Sequence, residues 1–140
     1  MTLSEIAEIL PNGFHDAEVE EFQWSYSTNS AVFKMTMWTA TELDEDPEKY
    51  RRASIELNRI LLIAIDPPML TKDRLLDGAR SGTLQIDGVP ANEEIFPGLR
   101  HLKANLPADA DVYSFYVNNW NSYIHVAAQQ AKLTWLDEQK

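Results

Sequence analysis

Asn12-Gly13-Phe14-His15-Asp16-Ala17-Glu18-Val19-Glu20-Glu21-Phe22-Gln23-Trp24-Ser25-Tyr26 is a turn, a polar cluster and a strand in immediate succession. Pro11, Asn12 and Gly13 turn the chain. Phe22, Trp24 and Tyr26 then alternate with polar residues, the period of a half-buried strand over 18–26. Val19 has the opposite parity from those aromatics. One extra residue near Glu20 or Glu21 reconciles the two, because a β-bulge moves later side chains to the other face.

Working outward, residues 3–10 place Leu3, Ile6, Ala7 and Leu10 at helical spacing, with Ser4 as the expected N-cap. On the other side, 27–30 is a run of turn formers. It closes a hairpin whose return strand, 31–39, sets Ala31, Phe33, Met35 and Met37 on one face. Residues 41–49 are acidic, contain Pro47 and read as an exposed loop. In 50–65, Ala53, Ile55 and Leu57 alternate with polar residues, and the register changes at Asn58-Arg59. The segment is one long bent strand or two strands broken near Asn58. Its β-branched residues favour strand over helix, and Asp66-Pro67-Pro68 ends it.

The rest is less regular. Residues 69–82 read as irregular, with a helical turn from Thr71 to Leu76. A short strand is expected over 83–87 with Leu84 and Ile86 inward, and a helical turn within 93–101. The C-terminal third is patterned again. Strands over 112–118, 122–128 and 131–136 form an antiparallel meander, linked by Asn118–Asn121 and by Gln129-Gln130. The expected fold is α+β but mostly β. It is a single domain over 1–140, with a bent antiparallel sheet of about six to eight strands, a short N-terminal helix and irregular loops. Val19, Phe22, Trp24, Phe33, Met35, Ile55, Leu57, Leu62, Phe115, Val117, Ile124 and Leu133 form the expected core.

The chain carries a formal charge of −10 over 140 residues and no cysteine. Disulfides and thiolate metal sites are excluded. Nucleic acid is an unsuitable partner, since phosphate binding relies on clustered Lys and Arg. On charge alone the acidic surface is explained first by solubility, and it also suits capture of a basic protein. No signal peptide and no membrane span is expected, because the longest apolar run, 60–65, is far too short. The expected location is cytoplasmic.

Chemistry has few candidates. His15 and Asp16 are adjacent, so on a strand they point to opposite faces and each needs a distant partner. Their structural reading is backbone bonding after the glycine turn. His125 lies mid-strand, where a lone histidine is usually a satisfied structural residue. Together, His15, Asp16 and His125 could hold a metal or run acid–base chemistry. No metal-binding spacing is present, however, and neither a metal nor a cofactor is expected. Asn119, Trp120 and Asn121 are the candidate binding residues, set against a plain hairpin-turn reading of the asparagines. Residues 14–18 are expected to pack or bond against 118–125.

Phe14-His15-Asp16-Ala17-Glu18 before an aromatic strand resembles the opening of a group of small uncharacterised bacterial proteins. The likeness continues at Val32 to Trp38, at Tyr113-Ser114-Phe115-Tyr116-Val117, and at Trp120-Asn121-Ser122-Tyr123-Ile124-His125. The Phe-His-Asp-Ala-Glu opening is also similar to that of the immunity protein 50 family of bacterial toxin–immunity systems. That resemblance implies a cytosolic protein that binds and neutralises a toxin domain, and it transfers no catalytic residue. The leading expectation is therefore a non-enzymatic, immunity-like protein-binding module. A small hydrolase or metal-dependent enzyme using His15, Asp16 and His125 is the second. A small-molecule-binding domain with an aromatic cavity is the third.

Overall fold

The computed structural model describes residues 1–69, 72 and 82–136. The helical turn expected from Thr71 lies outside these residues. Six strands form one antiparallel sheet that closes on itself: β1 (Ala17–Ser25), β2 (Ser30–Trp38), β3 (Tyr50–Ile65), β4 (Leu84–Pro90), β5 (Asp111–Val117) and β6 (Ser122–Trp135). Around the barrel the order is β1-β2-β3-β6-β5-β4. The expected bent sheet is thus a closed barrel. Closure follows from β4, which pairs with β5 from Ile86 to Pro90 and with β1 only at Ala17↔Ile86, Glu18↔Gln85 and Val19↔Leu84.

The first hairpin follows its side-chain pattern. Ala31, Phe33, Met35 and Met37 are all buried. The register of β1 against β2 shifts between Val19 and Glu21. The bulge therefore sits where the parity conflict requires it: Ala17 and Val19 face inward before it, Phe22 and Trp24 after it. Strand β3 is one long bent strand. Arg59 adopts φ 54°, and the register against β6 shifts between Ile60 and Leu62. A left-handed residue plus a bulge turns the strand without ending it.

Two expectations give way. The C-terminal meander is a two-stranded hairpin, because β6 runs unbroken through Gln129-Gln130, held by β3 from Ala53↔Trp135 to Ile65↔Ile124. Pairing with the long β3 outweighs the weak strand preference of two glutamines. Strand β4 likewise continues through Asp87-Gly88 to Pro90. Gly88 is needed there for space. A Cβ at this position would lie 2.6 Å from Tyr113 Oη and 2.9 Å from Phe14 Cβ.

Helix α1 (Leu3–Ile9) is capped by Thr2, not Ser4. Thr2 and Glu5 form a reciprocal capping box. Ser4 instead donates from its backbone N (3.1 Å) and Oγ (2.7 Å) to the Asp111 carboxylate at the start of β5. This turns Leu3 and Ile6 into the core. Helix α2 (Leu99–Ala104) follows the expected turn and lies over the outside of β5 and β6. There Leu99, Val112, Ala91 and Ala127 form a small second core. Of the expected core residues, Phe22, Trp24, Leu62 and Leu133 are only partly buried.

Phe14 precedes β1 yet is 1% exposed. Its ring meets Tyr113 and Phe115 edge-on, with centroids 5.7 and 5.3 Å apart. Burial pushes the Tyr113 hydroxyl up to about 12, with the Asp111 carboxylate adding to the effect. The sign follows from linkage. In the unfolded chain a tyrosine ionises near pH 10, so the folded state alone keeps Tyr113 neutral between about 10 and 12. Its stabilisation is complete below pH 10 and is lost as pH rises through 12. Urea midpoints should fall between pH 9.5 and 11.5 by the equivalent of roughly 1.5–2 kcal/mol. Tyr113→Phe should flatten that slope; an unchanged slope in the variant would assign the alkaline loss elsewhere.

Candidate functional site

The barrel separates the two histidines of interest. His125 projects from the outer face of β6, directly opposite Ser114 on β5. Ser114 Oγ lies 2.8 Å from Nδ1, and Asp66 Oδ2 lies 3.0 Å from Nε2. A carboxylate only accepts, so Nε2 carries the proton and Nδ1 accepts from the serine hydroxyl. The order Ser–His–Asp is that of a proton relay in nucleophilic catalysis.

Burial decides what the relay does here. Ser114 is 0% and His125 1% exposed, and the Phe96 ring stacks on the imidazole with centroids 4.2 Å apart. In this closed arrangement no substrate carbonyl reaches Ser114 Oγ. The relay satisfies two buried polar groups and ties Asp66, at the end of β3, to β6. Periodicity alone could not pair Ser114 with His125. The cross-strand register does, and Asp66 joins because it follows Ile65 at the strand end.

His15 and Asp16 lie in the turn before β1, not on the strand, and Asp16 takes φ 55°. The opposite-face argument therefore does not apply to them. Both turn toward Asp87 of β4. His15 Nδ1 is 2.5 Å from Asp87 Oδ1, His15 Nε2 is 3.4 Å from Asp16 Oδ2, and the Asp16 amide donates to Asp87 Oδ1 at 3.2 Å. One ligand atom from each of the three falls within 4.8 Å of the others, so a cation-ligating trio exists on distance alone. Its orientation suits a cation poorly. The two carboxylates address different ring nitrogens, and one ion takes only one of them. The cluster is a carboxylate–imidazole–carboxylate clamp.

His125 does not join this clamp. Asp87 pairs with Tyr116, which pairs with Tyr123, while His125 sits on the next outward rung of β6. That is two strand spacings across and two residues along, roughly 12 Å. His15, Asp16 and His125 therefore do not converge. Nor do residues 14–18 meet 118–125 strand to strand: β4 lies between them. Gln85 links the two from the middle, its Nε2 donating to Asp16 Oδ1 and its backbone N to Asn119 Oδ1.

The asparagines of the β5–β6 turn are accounted for structurally. Asn121 takes φ 50°, accepts from Tyr116 Oη at 2.5 Å and donates to the Met69 carbonyl. Trp120 is half-buried, and its side chain packs against the main core.

The most distinctive surface lies beside the His15 clamp. Trp38 of β2 pairs with Tyr50 of β3 on the outer face. The Trp38 and His15 rings are 6.0 Å apart, and Trp38 Nε1 donates to the Pro47 carbonyl. Burial raises the Tyr50 hydroxyl above its ordinary value, with the Glu48, Asp16 and Glu18 carboxylates adding to it. The nearby cations are already engaged. Arg52 makes a two-point contact with Glu20, and Lys49 lies 3.3 Å from Asp44. The Arg52 guanidinium holds Glu20 below the usual carboxylate range, and bonds from Thr41 do the same for Asp44. Among the described residues no cation pairs with Glu18 or Glu48. Sequence reading missed this face because its members come from four separate segments. Its only local signal was the acidic run at 42–48.

No helix among the described residues is long and apolar enough to cross a membrane. No family model, no curated protein and no solved structure matches the chain.

Proposed function

We propose that this chain is a non-enzymatic, cytoplasmic protein-binding module of the immunity type, neutralising a basic partner such as a cognate toxin domain. The observation that carries the reading is the face around Trp38 and Tyr50. There Asp16, Glu18 and Glu48 gather while the local cations are spent on Glu20 and Asp44. Two aromatic rings beside the Glu18 and Glu48 carboxylates, which no described cation pairs, suit a surface of Lys and Arg. The charge steers encounter, and the rings supply cation–π and apolar contact. A formal charge of −10 extends the same field over the molecule. Asp16 and Glu18, two residues of the Phe14-His15-Asp16-Ala17-Glu18 stretch that resembles the immunity protein 50 family, lie near this face.

The test is binding to the products of neighbouring genes, by pull-down and then by kinetics. The Glu18→Lys/Glu48→Lys double variant, whose exposed positions leave the core untouched, should lower the association rate roughly 10–100-fold at low salt. The dissociation rate should move much less. A partner whose association rate ignores both salt and these substitutions would place the interface elsewhere. Failure of every neighbouring product to bind, with no rescue from an adjacent toxin, would remove the reading.

A further inference from the structure

We infer that the open end of the barrel is a binding site for a small molecule with an apolar tip. A cavity of about 90 Å³ lies between the sheet and the β5–β6 turn and presents no polar surface. Its floor is Phe33, Ile86 and Phe115, all buried. Its rim is Phe22, Leu84 and Trp120, each partly exposed, together with Ile65 at 56% exposure.

The fold explains why the described residues leave this end unfilled. A narrow barrel normally packs its interior with its own side chains. Here β1 leaves β4 after Val19↔Leu84, and the bulge at Glu20 swings Phe22 inward just beyond the last shared pair. Among the described residues the rim is left with apolar walls and an opening. Trp120 completes it. The turn is specified by its asparagines, which take the left-handed residue and the hydrogen bonds. The indole serves the cavity wall instead.

Volume and chemistry bound the occupant. A closed apolar cavity of about 150 Å³ takes benzene whole. At 90 Å³ with an open mouth, this one takes one end of a ligand, a branched alkyl group or a ring inserted partway. That end carries no hydrogen-bonding group, since the lining has nothing to pair with it and burial would leave it unsatisfied. Any polar head stays outside the mouth.

The experiment is a titration of the full chain with toluene, read by methyl chemical shifts and by thermal melting. Saturable shifts confined to Leu84, Ile86, Ile124 and Ile65 are expected. The dissociation constant should be roughly millimolar, given how few atoms the probe buries, and the melting temperature should rise with probe concentration. Leu84→Phe, which puts a larger side chain at the rim, should fold, melt at or above the wild-type temperature and lose the response. If that variant misfolds, Ile124→Phe at the cavity wall makes the same test. No shift up to the solubility of toluene overturns the inference. So does an equal response in the filled variant, or a melting change that tracks concentration-dependent dimerisation instead. The cavity is distinct from the Trp38 face, so either site can fail without the other.

Discussion

Phe14→Ala should destabilise the protein by about 3–5 kcal/mol, the range for removing a buried aromatic ring. For a chain of this size that lowers the melting temperature by roughly 10–20 °C. Phe14 is 1% exposed and sits where three elements meet: the turn before β1, Gly88 of β4, and the edge-on rings of Tyr113 and Phe115 on β5. Gly88 brings the β4 backbone so close that no other side chain fills the gap from that direction. Relaxation after truncation is therefore limited, and the upper half of the range is expected. Phe14→Leu, which keeps most of the volume but loses the edge contacts, should cost about 1–2 kcal/mol. A loss below about 1.5 kcal/mol for Phe14→Ala, measured by urea unfolding, would show that the site collapses freely. The packing account would then be wrong.

His125 gives the second large effect. His125→Ala should cost about 2–4 kcal/mol. The substitution removes the ring on which Phe96 stacks and leaves Ser114 Oγ without its partner at 0% exposure. His125→Phe separates the two contributions. It keeps a flat ring under Phe96 but offers no acceptor, so its cost is the unsatisfied hydroxyl, about 1–3 kcal/mol. Adding Ser114→Ala to His125→Phe should recover most of that loss, because removing both partners leaves nothing unpaired. If His125→Phe is as stable as wild type, the relay is not what holds this region. If the double variant falls further than the single, Ser114 has another role.

The first hairpin and its bulge are legible because local rules suffice. Period-2 alternation over 31–37 places four side chains inward. The parity conflict between Val19 and Phe22 admits only an inserted residue. Barrel closure is not legible, because it rests on three pairs between β1 and β4, from segments far apart in the chain. Asp87-Gly88 also reads as a turn. It continues as strand because β5 supplies partners on one side and Phe14 needs the space that only glycine leaves. At the candidate sites, residue types were visible but partners were not. His15 finds Asp87 and His125 finds Ser114 only through strand register. The adjacency rule for His15 and Asp16 fails because the left-handed Asp16 lies outside the strand. The asparagines at 118–121 fit their turn reading, while Trp120 beside them belongs to a cavity wall that no single segment encodes.

The strand order also describes how the ring is made. Strands β1-β2-β3 form one meander and β4-β5-β6 another, each built from neighbours in sequence. The two are joined along a long zipper between β3 and β6 and clasped by the three pairs between β1 and β4. Each meander is local and quick to assemble. The zipper must recruit residues as distant as Ala53 and Trp135, so it sets the pace of folding. The clasp is the shortest pairing in the ring, and side chains reinforce it: His15 and the Asp16 amide meet Asp87, and Gln85 donates to Asp16. Val19 and Leu84, the final pair of that clasp, also line the apolar cavity. The seam that closes the ring is therefore also one wall of the cavity.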